Sequence, residues 1–244
     1  MQKIILSPHI DDAILSLGGS IIQWLGDDLQ VKVVNVFSKC KAYNGIFRIA
    51  NIEEETKLRK NEELEVIKEV GDIFEYWDLP ANSSRIFGRW RKYLPVSLQV
   101  KIPDNRIMLK EIAKRFGQHF LSEKTDIYLP IAYSPISHID HLIVRDALLT
   151  VLGIREAQTT IWLYEDMPYC ARDQSFVSML QTNHAMSVVI PIGIEEKAAL
   201  ARKYHSQVKE SWLAEMCLYH EQIEGERVWQ LKHGFDIRCL GLSI

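Results

Sequence analysis

Short apolar segments rich in β-branched residues alternate with longer segments of helical periodicity along the whole 244-residue chain. Residues 3–7 have the pattern of a strand, and apolar residues recur at helical spacing from Asp12 onward. Residues 31–37 are almost continuously apolar, as in a strand that is buried on both faces. Such alternation is typical of βα units. It predicts an α/β, Rossmann-like, three-layer fold with a mostly parallel sheet.

The alternation continues to the end of the chain. A charged segment at 53–70 carries apolar residues at helical spacing, and Gly71 is placed to end that helix. No repeat or Gly/Ser linker divides the sequence, so we expect a single domain over residues 1–244. Strands are predicted at residues 3–7, 31–37, 74–79, 126–130, 160–164 and 186–190. Helices are predicted from residue 12 and at residues 53–70, 104–121, 141–152, 174–180, 195–207 and 211–219.

The charge balance excludes several kinds of protein and partner. The chain is 47% hydrophobic and 25% charged, which is the composition of a packed globular protein and not of a disordered one. Its 29 Lys+Arg against 32 Asp+Glu give a net charge of −3, so no strong positive field attracts nucleic acid. No apolar segment reaches the roughly 18 residues of a membrane span. We expect a small-molecule substrate, and a homo-oligomer is compatible with the sequence.

Cysteine usage and the N-terminal residues predict a cytoplasmic protein. Cys40, Cys170, Cys217 and Cys239 are widely spaced, with no CxxC motif. Scattered thiols of this kind are typical of a reducing compartment. The first twelve residues pass from a short strand directly into charged residues, without the apolar stretch of about 7–15 residues that a signal peptide carries.

Two loops that follow predicted strands place histidine beside aspartate. Their sequences are SPHIDD at residues 7–12 and SHIDH at residues 137–141. In open α/β sheets, ligands bind beyond the carboxyl ends of the strands. His9, Asp12 and His141 would supply the three protein ligands of an open zinc site, and Fe²⁺ or Mn²⁺ suits the same set. The side chain of Asp11 diverges from that of its neighbour and is free to act as a general base.

The acidic residues of these loops also have a purely structural interpretation. Asp11 or Asp12 would cap the helix that begins near residue 12. Asp140 or Ser137 would cap the helix that begins near residue 141. Two His/Asp clusters at two strand ends nevertheless favour a metal site over two unrelated caps.

The two motifs resemble those of the PIG-L/LmbE-like family of metal-dependent N-acetylglucosamine de-N-acetylases. That family includes the deacetylases of glycosylphosphatidylinositol, mycothiol and bacillithiol biosynthesis. Residues 59–62, Arg-Lys-Asn-Glu, are similar to its Arg-x-x-Glu helix, which ends in a glycine, here Gly71. Residues 203–207, Lys-Tyr-His-Ser-Gln, are similar to its later Ser-Gln helix end. The resemblance covers most of the chain and implies an LmbE-like domain with zinc chemistry.

The resemblance implies the same metal ligands and the same general base. It further implies that His138 stabilises the oxyanion or protonates the leaving amine, while Asp140 orients His138. A zinc ion would lower the pKa of bound water towards about 7 and polarise the amide carbonyl. An imidazolium held by a carboxylate would stabilise a tetrahedral oxyanion.

Two further positions, Arg59 and Ala13, bear on the resemblance. Arg59 is expected to contact the substrate, with pairing to Glu62 or Glu63 on the helix surface as the alternative. The family commonly has an acidic residue directly after the paired aspartates, where this chain has Ala13. That position lies just past the ligands, so we expect altered surroundings of the metal and not its loss.

An aromatic and acidic segment at 162–169 is a candidate for recognising the sugar. It reads Trp-Leu-Tyr-Glu-Asp-Met-Pro-Tyr and follows a predicted strand. Tyr164, Asp166 and Tyr169 would present aromatic faces and a carboxylate to a ring that carries hydroxyls and an amine. The alternative is an aromatic core strand followed by a proline turn.

The segment at 80–103 is the least regular part of the sequence and mixes basic with aromatic residues. A phosphate site, an oligomer contact and a solvated insertion are the alternatives, of which the last is the commonest for such clusters. The residues concerned are Arg85, Phe87, Arg89, Trp90, Arg91, Lys92, Tyr93 and Lys101.

The leading hypothesis is a zinc-dependent hydrolase that removes an N-acetyl or other N-acyl group from an amino sugar or its glycoside. A non-catalytic carbohydrate-binding protein of the same fold is one alternative. A metallophosphoesterase is another, although two-metal sites use more bridging carboxylates than these loops offer.

Overall fold

One sheet of seven strands organises the fold, in the order β3-β2-β1-β4-β5-β7-β6. The computed structural model describes residues 2–40, 51–85, 99, 101–119, 125–133, 137–152, 159–183, 185–232, 235 and 237–240. The strands are β1 Gln2–Ser7, β2 Gln30–Asn35, β3 Phe74–Tyr76, β4 Thr125–Pro130, β5 Thr159–Tyr164, β6 Met186–Ile190 and β7 Glu226–Gln230. The helices are α1 Asp12–Gly26, α2 Ile52–Val70, α3 Pro103–His119, α4 Ile139–Leu152, α5 Tyr169–Arg172, α6 Phe176–Thr182, α7 Ile194–Ala201 and α8 Glu210–Gln222.

The topology places a crevice at the centre of the sheet. Strand β1 pairs in parallel with β2 on one side and with β4 on the other. After β1 the chain adds β2 and β3 on one side and then returns to add β4 on the other side. The boundary between β1 and β4 is therefore a topological switch point. Strand β7 is antiparallel to both β5 and β6, and the remaining pairings are parallel. The predicted α/β fold with a mostly parallel sheet is confirmed.

Helices cover both faces of the sheet and bury the central strands. Ile4, Ile5 and Leu6 of β1 are at most 1% exposed, which explains the three consecutive apolar residues of this strand. On the covering layers, α1 packs against α7 and α3 packs against α4. Within the described part of the chain, no helix is both long enough and apolar enough to cross a membrane.

Helix α2 begins and ends as its sequence predicts. The Asn51 side chain accepts the backbone N–H of Glu54 at 2.8 Å, which satisfies a free donor of the first turn. Gly71 adopts φ +81° and donates its N–H to the carbonyl of Ile67 at 2.8 Å. A residue with a side chain would be strained in this conformation, so glycine suits the end of the helix.

Helix α1 is broken in the middle, and a buried carboxylate caps the break. Leu17 has the non-helical angles φ −127° and ψ 17°. The backbone N–H groups of Gly19 and Ser20 donate to Glu226 of β7 at 3.0 and 2.8 Å. A Cβ at Gly19 would lie 2.6 Å from Ile192, so only glycine allows this close approach. The N–H groups freed by the break thus connect α1 to β7.

Besides the short helix α5, which was not predicted, two larger departures from the predicted elements occur. Strand β7 was not predicted, because its sequence begins with Glu226 and Arg227, whose charges are paired in the fold with Lys197 and Glu165. The predicted helix at 195–207 ends early, at Ala201. The following residues form turns, and the backbone N–H and hydroxyl of Ser206 donate to Glu62 of α2.

Candidate metal centre and catalytic site

A cavity of about 180 Å³ opens beyond the carboxyl ends of the central strands, beside the switch point. The loop after β1, the start of α4 and the segment after β5 all contribute to its wall. The lining residues are His9, Asp11, Asp12, Leu15, Cys40, Arg59, Ala81, Ser83, His138, Met167, Pro168, Tyr169, Gln207 and Trp212. Most of the predicted site residues thus meet at one place, although residues 9–12 and residues 138–169 are more than 120 positions apart in the sequence.

His9, Asp12 and His141 converge on one point of this cavity. The Asp12 Oδ2 atom lies 2.9 Å from His9 Nδ1 and 3.1 Å from His141 Nε2. One ligand atom from each of the three residues lies within 4.8 Å of the others. This donor set, two imidazoles and one carboxylate beside a cavity, is that of an open catalytic metal site. The residues present therefore fit a divalent cation.

A second group of three residues has its ligand atoms equally close, within 4.8 Å of one another: His9, His138 and Asp140. Its carboxylate already has partners: Asp140 accepts the backbone N–H of Asn82 at 2.8 Å and pairs with Arg85. Because the arginine neutralises this carboxylate, the second group offers less charge to a cation than the group around Asp12.

The charges of the first group are balanced by protons on its histidines. Burial opposes protonation of His9 and His141, but the Asp12 carboxylate outweighs burial and raises their pKa values to about 9 and about 10. In the opposite sense, burial disfavours the charged form of Asp12, yet His141 and His9 hold the pKa of Asp12 well below its usual range. A bound cation would replace these protons.

Asp11 faces the cavity next to this group. Asp11 is 9% exposed, and among the described residues no cationic side chain lies within ion-pair distance of its carboxylate. Burial, and then the charge of Asp12, raise the pKa of its carboxyl. Asp11 is the residue that precedes α1, but its side chain makes no capping hydrogen bond. The alternative that Asp11 serves as a helix cap is wrong.

His138 lies at the mouth of the cavity with its side chain 36% exposed. The backbone N–H of Asp140 donates to His138 Nδ1 at 3.2 Å, which leaves the proton of the neutral ring on Nε2. Burial lowers the pKa of His138 to about 4, which favours the neutral imidazole. Together with the hydrogen bond to Nδ1, this favours a neutral N–H donor over the expected imidazolium.

Asp140 orients the histidines differently from what the resemblance implies. Its Oδ2 atom is 3.7 Å from His138 Nδ1, too long for a hydrogen bond, but 3.1 Å from His9 Nε2. The carboxylate of Asp140 therefore holds His9, and only its backbone N–H holds His138. Burial disfavours the charged form of Asp140, but Arg85 reverses this effect and lowers the pKa of the carboxyl.

Arg85 belongs to this buried network and not to a phosphate site. The residue is 7% exposed, and its Nε donates to the carbonyl of Pro80 at 3.0 Å. Lys101 is exposed to solvent. The other basic and aromatic residues of the segment, at positions 87 and 89–93, lie outside the described residues.

Arg59 reaches the cavity from α2. Its Nε donates to Glu55 Oε1 at 3.0 Å, and its buried Nη2 has no hydrogen-bond partner among the described residues. The predicted alternative of pairing with Glu62 or Glu63 is wrong, because each of these carboxylates bonds to other groups; Glu62, for example, accepts the backbone N–H of Ser206 at 2.7 Å. Arg59 thus keeps one donor for a ligand.

The aromatic and acidic segment at 162–169 contributes one residue to the cavity wall and others to the buried structure behind it. Tyr169 lines the cavity, with its ring centroid 5.5 Å from that of His141. Tyr164 is fully buried and donates its hydroxyl to the carbonyl of Leu6 at 2.9 Å. Asp166 is 1% exposed and binds His141. The prediction that Tyr164 and Asp166 contact the substrate does not agree with these positions.

Comparison with known proteins agrees with this site and fold. The family model for PIG-L, described as GlcNAc-PI de-N-acetylase, matches residues 4–152, which include both histidine-aspartate motifs. The chain belongs to the PIG-L family. No curated protein sequence matches it.

Solved structures similar to this PIG-L chain include several deacetylases. A teicoplanin-pathway deacetylase in complex with bog has a TM-score of 0.72 and 19% identity, covering 94% of this chain and 97% of its own. The zinc inhibited form of teicoplanin deacetylase has a TM-score of 0.69 at 19% identity, covering 94% and 97%. The N,N'-diacetylchitobiose deacetylase from Pyrococcus horikoshii has a TM-score of 0.56 at 19% identity, covering 93% and 83%. At these identities the likeness establishes the shared fold.

Proposed function

We propose that this PIG-L protein is a metal-dependent hydrolase that removes an N-acetyl or other N-acyl group from an amino sugar or its glycoside. The observation that carries the proposal is the convergence of His9, Asp12 and His141 beside a cavity. Its wall includes His9 and Asp12 together with Asp11 and His138. Two of the structural neighbours, a deacetylase of the teicoplanin biosynthesis pathway and an N,N'-diacetylchitobiose deacetylase, support the same reaction class.

His9, Asp12 and His141 would hold the cation, with zinc as the first candidate and Fe²⁺ or Mn²⁺ as alternatives. When bound, a divalent cation supplies Lewis-acid polarisation of a carbonyl group and makes water easier to ionise. The protein contributes a polar, buried pocket in which Asp140 and Asp166 hold the outer ring nitrogens of the two histidines. Such outer partners fix which nitrogen is available to a metal.

Asp11 serves as the general base. Its carboxylate lies beside the proposed ligand Asp12 and faces the cavity, and its raised pKa makes it a better proton acceptor than an ordinary aspartate. It takes a proton from the attacking water. Its neighbour Asp12 is occupied by two histidines, so the paired aspartates divide the two tasks.

His138 serves at the carbonyl oxygen of the substrate amide. Its Nε2 proton is available because Nδ1 accepts the N–H of Asp140. A neutral N–H donor stabilises the negative charge that develops on the carbonyl oxygen. The proton that the leaving amine requires would come from Asp11, which took it from the attacking water, so both side chains return to their starting state.

Three residues of the wall are suited to hold the sugar. Arg59 presents an unsatisfied N–H donor, while Tyr169 and Trp212 present aromatic surface. Hydroxyl groups and the apolar faces of a sugar ring match this combination.

All four cysteines are free thiols, which supports the cytoplasm as the compartment.

Acetate release from a panel of N-acetylhexosamines and their conjugates tests the proposal. We expect zinc-loaded protein to hydrolyse at least one member, and Asp11→Asn to reduce kcat by about 10²–10⁴-fold, the usual contribution of a general base. Asp126→Asn is the control, because it removes a buried carboxylate that is paired with Lys3 at the other end of β4. Undiminished turnover by Asp11→Asn would contradict the mechanism.

A further inference from the structure

We propose that Asp166 is a positioning residue, which holds the His141 ring so that its Nε2 atom is directed at the cation. The inference rests on the proposed function, since it concerns a ligand of the proposed metal. It replaces the expected role of Asp166 in substrate binding, because Asp166 is 1% exposed and does not line the cavity.

Both ring nitrogens of His141 are engaged by carboxylates. Nε2 lies 3.1 Å from Asp12, and Nδ1 lies 3.0 Å from Asp166 Oδ2. A neutral histidine binds a metal through the nitrogen that lacks a proton. A carboxylate at Nδ1 keeps the proton there and leaves the lone pair on Nε2. The pairing with Asp166 therefore selects the tautomer that a metal at the Asp12 side requires.

Asp166 is itself held in place by contacts that do not involve the histidine. Its Oδ1 atom accepts the backbone N–H of Ala132 at 3.0 Å, and its Oδ2 atom accepts the hydroxyl of Ser137 at 3.3 Å. Ala132 follows β4 in a left-handed conformation with φ +47°. Arg145 donates to its carbonyl at 3.0 Å. The carboxylate is thus fixed before any cation binds.

Two adjacent acids after β5 point to different tasks. Glu165 accepts hydrogen bonds from Arg227 at 2.6 Å and from Trp229 at 3.0 Å, both in β7. Tyr219 also donates to Glu165, and within the described part of the chain Glu165 makes no hydrogen bond to a histidine of the site. Glu165 and Asp166 are similarly buried, at 3% and 1% exposure. Glu165 is therefore a matched control for the loss of a buried carboxylate.

The experiment compares Asp166→Asn, Asp166→Ala and Glu165→Gln by metal affinity and by thermal unfolding of the metal-free protein. Zinc dissociation constants are measured by competition with a chelator. We expect Asp166→Ala to bind zinc about 10–100-fold more weakly than wild type, the usual effect of losing an outer-sphere partner. Asp166→Asn keeps an oxygen acceptor but loses the charge, so a smaller loss in the same direction is expected. Glu165→Gln should lower the melting temperature and keep wild-type zinc affinity.

Each other outcome has a definite meaning. Wild-type zinc affinity in both Asp166 variants would overturn the inference, because a merely structural carboxylate lowers stability alone. If Asp166→Ala does not fold, the zinc affinity of Asp166→Asn decides by the same criterion. Failure of the wild-type protein to bind zinc, Fe²⁺ or Mn²⁺ would overturn the proposed function itself, and with it this inference.

Discussion

Two clusters of buried charge lie in the same fold, and only one of them opens to the cavity. In the first, Asp12 is shared by two histidines. In the second, Lys197 and Glu226 form an ion pair of 2.7 Å, with side chains 0% and 1% exposed. The second cluster contains its own permanent cation. The first lacks one and faces an open space, as a site for an external cation must.

Histidines in the two clusters have pKa values shifted in opposite directions, although burial acts in the same direction on both. Burial and then the neighbouring Lys197 lower the pKa of His220 to about 2. The carboxylate of Asp12 overcomes burial and raises the pKa of His9 to about 9. Burial alone therefore does not distinguish a structural histidine from a ligand. The sign of the neighbouring charge does.

The cluster around Asp12, which opens to the cavity, is called the open cluster, and the cluster of Lys197 and Glu226 the closed cluster. Removal of the central carboxylate of the open cluster should have the largest effect on zinc affinity. We expect Asp12→Asn to weaken zinc binding by more than the roughly 10–100-fold that outer partners contribute. The reason is that it removes a direct ligand and the charge that both histidines share. Chelator competition measures the affinity. A loss below tenfold would show that Asp12 is not a ligand.

Removal of the carboxylate of the closed cluster should affect stability alone. Glu226→Gln leaves Lys197 buried without its counter-charge and weakens the cap on the broken helix α1. We expect the free energy of unfolding to fall by about 3–5 kcal/mol, measured by urea denaturation of the metal-free protein. Zinc affinity should stay at the wild-type value. Loss of zinc binding by the folded variant would erase the distinction between the clusters.

Metal binding by the open cluster should release protons. At pH 7 the raised pKa values keep His9 and His141 protonated in the metal-free protein. Both must become neutral to bind a metal, so affinity should rise with pH, by up to about 100-fold per unit while two protons are displaced. Calorimetry in buffers of different ionisation enthalpy counts the protons. Zero released protons would contradict the charge balance described above.

The two clusters should also stabilise the metal-free fold in opposite pH ranges. Because the folded pKa values of His9 and His141 lie above the unfolded value, their contribution is complete below about pH 6.5 and is lost as pH rises through about 9 to 10. His220 has a lowered pKa, so its contribution is complete above about pH 6.5 and is lost towards pH 2. His220→Gln should therefore flatten the acid side of the stability curve. An unchanged acid side would contradict the inverted environment of His220.

The sequence predicts most of the fold because its elements carry local signals. Periodicity identifies β1, α2 and β6, and Gly71 marks a helix end that the structure confirms. Strand β7 escapes prediction because the residues that neutralise its charges, Lys197 and Glu165, are distant in the sequence. Only the folded chain brings them together.

The candidate site shows the same division between local and distant information. His9, Asp12 and His141 are recognisable because each lies in a short motif at a strand end. The tasks of Asp166 and Arg85 are not recognisable, since they depend on partners 25 and 55 positions away. Glu55 and Glu62 lie on the same side of α2 as Arg59, so periodicity does not decide between them. Glu62 instead bonds to Ser206, which is distant in the sequence.

The location of a bound metal tests the central claim most directly. Crystals of zinc-loaded protein, with anomalous data collected on both sides of the zinc edge, would show where the ion binds. We predict one peak in each chain, within bonding distance of His9, Asp12 and His141. A peak held by His138 and Asp140, or no peak in protein that is otherwise ordered, would contradict the account.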